Sequence, residues 1–196
     1  MARPDIPQDI IDKIIGMIDT KEKSLLKICA QVSDSFVYPS IKRYFAAIAL
    51  STPEDRENLL YILTAHPPYL DIPSYIKTLQ ILYPRALVSR ANYKSDHQPE
   101  PQQIDSDAFK FSVDLVPVLH LLSHSQALER LEFHVGSGCS LLSQDAHDWH
   151  KFPGGLRAAL SDMICSPYLT SLTIANTNVP PELFVGLKGV RTLCLD

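Results

Sequence analysis

No two cysteines of this 196-residue chain stand in a C-x-x-C pair; Cys29, Cys139, Cys165 and Cys194 are scattered. That spacing indicates neither a disulfide framework nor a thiolate zinc site, and a reducing compartment, cytoplasmic and/or nuclear, is the expectation. No excess of positive charge is present either. Eighteen Lys and Arg stand against 22 Asp and Glu, a formal charge of -4 with a pI near 5.9, so neither a phosphate backbone nor an anionic membrane is expected as partner. No run of about 18 uncharged apolar residues occurs, and no basic stretch followed by an apolar one opens the sequence; neither a membrane span nor export is expected. What is present is a 45% apolar composition, enough for a real core in one domain, or in a small domain joined to a larger one.

The stretch "DIPQDIIDKIIGMI", residues 5–18, is dense in isoleucine. Ile6, Ile10, Ile11, Ile14, Ile15 and Ile18 recur at the spacing that lines one side of an α-helix. Pro7 suits the first helical position, where its missing N–H would have no partner anyway, and Asp9 complements the positive end of the helix. Asp19 and Glu22 read as a capping-box-like pair before a second helix carrying Leu25, Leu26, Cys29 and Val32. A third helix is expected from about Pro39, with Ile41, Tyr44 and Phe45. Three short helices bury too little surface to offset their ordering entropy comfortably, so part of their apolar surface should meet a neighbour. Periodicity alone leaves open whether that neighbour is the rest of this chain or another protein.

"IPQDIIDKIIGMI" followed by "LLKICAQVSDSFVYPSIKRYFAAIAL" resembles an F-box of the fungal type. The matching features are Ile6-Pro7, Asp9, the aliphatic pairs Ile10-Ile11 and Ile14-Ile15, and the V-S-x-S-aromatic segment from Val32 to Phe36. The usual leading Leu is Ile6 and the usual Trp is Phe36, and both exchanges keep an apolar group. The resemblance implies docking onto the Skp-type adaptor, and through it the cullin, of a ubiquitin ligase. Its implied contact residues are Ile6, Pro7, Ile10, Ile11, Ile14, Leu26, Val32 and Phe36, with Ile15, Ile18 and Cys29 filling a small core.

Downstream, "YIKTLQI", "ALERLEF", "YLTSLTI" and "GVRTLCL" share the pattern apolar-x-x-Leu-x-apolar, at Ile76-Leu79-Ile81, Leu128-Leu131-Phe133, Leu169-Leu172-Ile174 and Val190-Leu193-Leu195. The second leucines are 52, 41 and 21 residues apart, so only the last interval is one typical leucine-rich period. A helical stretch precedes each: Thr52-Pro53-Glu54-Asp55 leading into Leu59, Leu60 and Leu63; Leu115, Val118, Leu119 and Leu122 around Pro117; Leu156, Leu160 and Ile164; and a short one at Pro180-Pro181 with Leu183, Phe184 and Leu187. The region resembles a leucine-rich-repeat solenoid, although the Asn that usually follows the strand is displaced: Asn176 and Asn178 straddle position 177. A compact α/β domain with coincidental leucines is the alternative. The polar segment at residues 92–107 reads as an inserted loop. Ending on a strand pattern at Asp196 without a polar capping unit, the repeat region is expected to be truncated.

Catalytic patterns are thin. "QDAHDWHKF" places Asp145, His147, Asp148 and His150 beside the single Trp, a cluster that would suit a metal-dependent hydrolase but lacks a third ligand at diagnostic spacing. "GSGCS" at residues 136–140 has no following Lys-Ser/Thr, and Cys139 is a nucleophile only with a histidine beside it. The remaining histidines, and Arg85, Arg90 and Lys94, read as surface groups.

The expectation is therefore an α+β protein: an F-box-like helical domain at 1–50, then an irregular, incomplete leucine-rich-repeat-like α/β region at 51–196. Its expected role is that of a non-catalytic substrate receptor binding a Skp-type adaptor and an unspecified target protein, with no cofactor and no metal. A repeat scaffold without a ligase role is the alternative.

Overall fold

The computed structural model describes residues 6–65, 70–83, 106–136 and 147–196, the side chains of 106–113 and 147 excepted. Three helices open it: α1 (Gln8–Met17), α2 (Lys23–Cys29) and α3 (Asp34–Phe45). Pro7 caps α1, its carbonyl accepting from the amides of Ile10 and Ile11. Ile11, Ile15, Leu26 and Phe36 close a small core, with Ile18, Cys29 and Tyr44 packed against it.

Two local expectations change. The Asp19–Glu22 capping box does not form: α2 starts at Lys23, so Glu22 occupies the cap itself and Asp19 accepts from the Lys21 amide instead. α3 begins five residues before Pro39 and runs through it. A proline inside a helix leaves the carbonyl four residues back without its amide partner. Here that carbonyl is on Ser35, and the Gln8 side chain of α1 donates to it at 3.4 Å.

Directly after α3 the chain extends into β1 (Ala47–Leu50), then α4 (Pro53–Ala65), β2 (Thr78–Tyr83), α5 (Ser106–Ser123), β3 (Arg130–Val135), the short β4 (His147–Asp148), α6 (Gly154–Ile164), β5 (Ser171–Ala175), the short β6 (Thr177–Asn178) and β7 (Thr192–Leu195). The last four residues of the expected 1–50 unit, Ala47–Leu50, are not helical but form the first strand of the sheet. Five strands form one open, wholly parallel sheet in the order β1-β2-β3-β5-β7, while β4 and β6 pair separately. Among the described residues the protein is thus a mixed α/β structure of six helices and a five-stranded parallel sheet that does not close on itself.

Alternation along the strands builds two faces. On one, Ile48, Leu79, Leu131, Leu172 and Leu193 lie in a single cross-strand row, and Leu50, Ile81, Phe133, Ile174 and Leu195 in the next. The helices α4, α5 and α6 pack against one another in the same order. Leu193 and Leu195 of β7 are exposed, whereas Leu59, Leu115, Leu119, Leu156 and Leu160 join the residues of β1, β2, β3 and β5 in one core. Full burial of each such aliphatic side chain contributes about 1.5–3 kcal/mol. At the start of α4 the expected cap is present: Thr52 Oγ1 accepts from the Asp55 amide, and Asp55 Oδ2 accepts from the amides of Ser51 and Thr52. α5 contains Pro117 without ending there. It begins at Ser106, so the last two residues of the expected 92–107 loop are helical, and the rest of that loop lies outside the described residues. Arg56 of α4 is enclosed, at 1% exposure, with the Asp114 carboxylate of α5 supplying the largest attraction to its charge.

Candidate docking surfaces

The phase of α1 decides which isoleucines face inward. Ile11 and Ile15 are 1% and 2% exposed, whereas Ile10 and Ile14, one position earlier in each pair, are 45% and 44% exposed. Ile6 and Met17 extend the outward stripe at both ends, Met17 being 87% exposed. On α2, Leu26 and Cys29 turn inward while Leu25 and Ile28 turn out, and the exposed Val32 follows the helix at the same phase. The first two helices therefore bear two apolar stripes each, one inside the small core and one in solvent.

Of the eight residues expected to touch an adaptor, Ile6, Pro7, Ile10, Ile14 and Val32 are exposed. Ile11, Leu26 and Phe36 are buried, and with Ile15 they make up the small core. Ile15, Ile18 and Cys29 fill or flank that core as expected. Sequence reasoning missed Met17, Leu25 and Ile28 as surface groups, although their spacing from Ile14 and Val32 carries the signal. Single exposed apolar side chains need no explanation, but five on α1 and α2, with Ile6 just before α1 and Val32 just after α2, are a concentration of the kind that marks an interaction surface.

A basic cluster lies at the end of this helical unit. Lys23 donates to the carbonyls of Tyr44 and of Ala47, the latter at 2.8 Å, and its ammonium sits 4.7 Å from the Tyr44 ring centroid. Burial, with a smaller contribution from the neighbouring Arg43, lowers its pKa to about 8. Arg43 Nε in turn donates to the Ile18 carbonyl at 2.9 Å, closing the end of α1.

The sheet face turned away from the helices is polar and partly open. Thr78, Arg130, Ser171 and Thr192 form one cross-strand row, and Gln80, Glu132, Thr173 and Cys194 the next. Glu132 is held from two sides, accepting from Gln80 at 3.1 Å and lying 3.7 Å from His134 Nε2. At the rim, Lys77 pairs with Glu129 at 2.8 Å.

The catalytic-looking residues do not assemble among the described ones. Trp149 belongs to an aromatic cluster with Phe152, Tyr83 and Phe133. Asp148 caps the turn that follows it by accepting from the His150 amide, and His150 Nδ1 lies 3.4 Å from Arg157. Asp145, Cys139 and most of the "GSGCS" segment lie outside the described residues, as do Arg85, Arg90 and Lys94, and of His147 only the backbone is described. Among the described residues no group of three or more His, Cys, Asp or Glu is placed to hold a metal ion. A shallow recess of about 640 Å³ is lined in part by Asp71, Ser74, His124 and Ser125, yet both serine hydroxyls donate to backbone carbonyls, of Asp71 and Pro73, and neither is poised by the histidine. No helix among the described residues is long and apolar enough to cross a membrane.

Comparison with known protein families, with curated proteins and with solved structures finds no match for this chain.

Proposed function

We propose that the protein is an F-box-type substrate receptor of a cullin-based ubiquitin ligase, in which α1 and α2 dock a Skp-type adaptor and a leucine-rich-repeat-like α/β solenoid, irregular and incomplete, captures a target protein. The observation that carries this reading is the solvent-facing stripe Ile6, Ile10, Ile14 and Met17 on a helix whose opposite stripe is already buried. Apolar area of this kind drives association at about 25 cal/mol per Å² before the cost of binding is subtracted. The in-register leucine row supports the repeat part of the reading, since each helix-and-strand unit shields its apolar side against the next. The open polar face would hold the target and bring its lysines near a separate transferring enzyme. The receptor's contribution is proximity and no residue of it makes or breaks a bond.

The experiment is co-purification of the full chain with a Skp-type adaptor. Ile10→Asp/Ile14→Asp is compared with the native chain and with Tyr61→Asp, which changes an exposed residue of α4. Loss of the adaptor in the double variant alone supports the reading. Equal retention by all three chains rejects the docking stripe, and failure of the native chain to hold the adaptor rejects the receptor in favour of a repeat scaffold.

A further inference from the structure

The helical unit and the sheet meet at one joint. α3 ends at Phe45, β1 starts at Ala47, and Ala46 between them gives its carbonyl to the amides of Lys77 and Thr78 at the start of β2. α3 is anchored to the sheet side by Ile41 and Phe45, which pack on the main core, and by Tyr38, whose ring meets that of Tyr75 edge-on at 5.9 Å. α1 and α2 pack chiefly on α3. Neither helix itself packs broadly on a strand, so few of their side chains reach the strand side of the joint.

Lys23 does. Its ammonium, carried on the first residue of α2, donates to Tyr44 on the helical side of Ala46 and to Ala47 on the strand side. Among the described residues this is the one side-chain hydrogen bond from the first two helices to a strand of the sheet. We infer that Lys23 is a positioning residue that clasps both sides of the Ala46 joint and so fixes the orientation of the exposed apolar stripe of α1–α2 relative to the open sheet face. Arg43 of α3 is the charged group that acts on it, and Lys27 of α2 lies 5.7 Å from the centroid of the same Tyr44 ring. Among the described residues no carboxylate pairs with Lys23. An ammonium shared between two carbonyls makes two charge-assisted bonds, each stronger than a neutral one. The clasp is independent of what docks on the stripe.

The test is solution NMR on the full chain. Below the pKa of about 8, the Lys23 ammonium should give a slowly exchanging signal with couplings across its bonds to the Tyr44 and Ala47 carbonyls. Backbone dipolar couplings of α1–α2 and of the five strands should fit one alignment. In Lys23→Met, which keeps the stem and removes the donors, the alignment of the first two helices should fall below that of the sheet, and Lys23→Arg should restore a shared one. A rapidly exchanging Lys23 ammonium without those couplings, or a Lys23→Met chain that still fits one alignment, overturns the clasp. Should Lys23→Met fail to fold, the ammonium signal of the native chain decides alone.

Discussion

Leu79 and Leu131 are 52 residues apart in the chain and direct neighbours in the sheet, with no part of either side chain exposed. Leu131 has Leu79 on one side and Leu172 on the other, so truncating it opens a cavity in the middle of the row. Leu131→Ala should destabilise the chain by about 2–5 kcal/mol. Arg130→Ala, on the exposed side of the same strand, should stay within about 0.5 kcal/mol of the native chain. Denaturant midpoints of the two variants check the contrast, and equal shifts would contradict the assignment of faces.

The two stripes of α1 separate stability from docking. Ile14→Asp should leave the unfolding midpoint nearly unchanged. Ile15→Asp buries an unpaired charge in the small core and should melt the helical unit, seen as lost amide protection in α1 and α2. If Ile14→Asp is the more damaging of the two, α1 is rotated from the orientation described.

Lys23 and Tyr75 give alkaline pH opposite effects in two windows. Lys23 has a folded pKa of about 8 against 10.5 for an ordinary lysine. Between those values the unfolded chain holds more protons, and stability rises with pH. Burial, aided by Tyr38, raises Tyr75 from 10.0 to about 12; there the folded chain holds the proton longer, and stability falls as pH climbs from 10.0 toward 12. Urea midpoints across this range should be less upward-sloping in Lys23→Met over the lower window and less downward-sloping in Tyr75→Phe over the upper one. Unchanged slopes in either variant would remove that group as the cause.

Enclosure of Arg56 between α4 and α5 makes its counter-charge costly to lose. Asp114→Asn keeps the shape and removes the largest attraction to the enclosed Arg56 charge, and should lower stability. Replacing Arg56 and Asp114 together by Met and Leu should cost far less, because no buried charge is then left uncompensated. A double-variant cycle measures the coupling, and additive effects would show that the two groups do not depend on each other.

Gly189 approaches another part of the backbone too closely for a side chain. A Cβ there would stand 2.3 Å from the Pro167 carbonyl oxygen and 2.8 Å from that of Leu169. Gly189→Ala should therefore displace the segment leading into β7 at a cost of about 1–3 kcal/mol, with faster amide exchange in β7 than in β3. Unaltered exchange in β7 would show that the segment moves freely.

The four leucine patterns were legible because burial on one side of a strand leaves an alternating trace, and Leu79, Leu131, Leu172 and Leu193 do fall into register. β1 was not legible, since Ala47-Ile48-Ala49-Leu50 follows a helix directly and alanine favours helix in isolation. α3 was read from Pro39 onward because the residue that relieves its inner proline, Gln8, is 27 positions from the carbonyl it serves. For the candidate site, isoleucine spacing reads as one apolar side of α1 and does not show that it divides into an inward and an outward stripe. That division is made by Leu26 and Phe36, on other helices. Lys23 was invisible as a clasp, because its partners are backbone carbonyls and leave no mark in residue identity.

Each strand of the five lies next to its predecessor in the chain, so no connection has to pass over another. The entropy of closing a loop grows only with the logarithm of its length, and spanning 52 residues instead of 21 between successive ladder leucines costs roughly 1 kcal/mol more. Tracts joining the helices to the strands can therefore lengthen or shorten over generations while the leucine row stays aligned, leaving evolution room to remodel the margins of the molecule without renegotiating its interior.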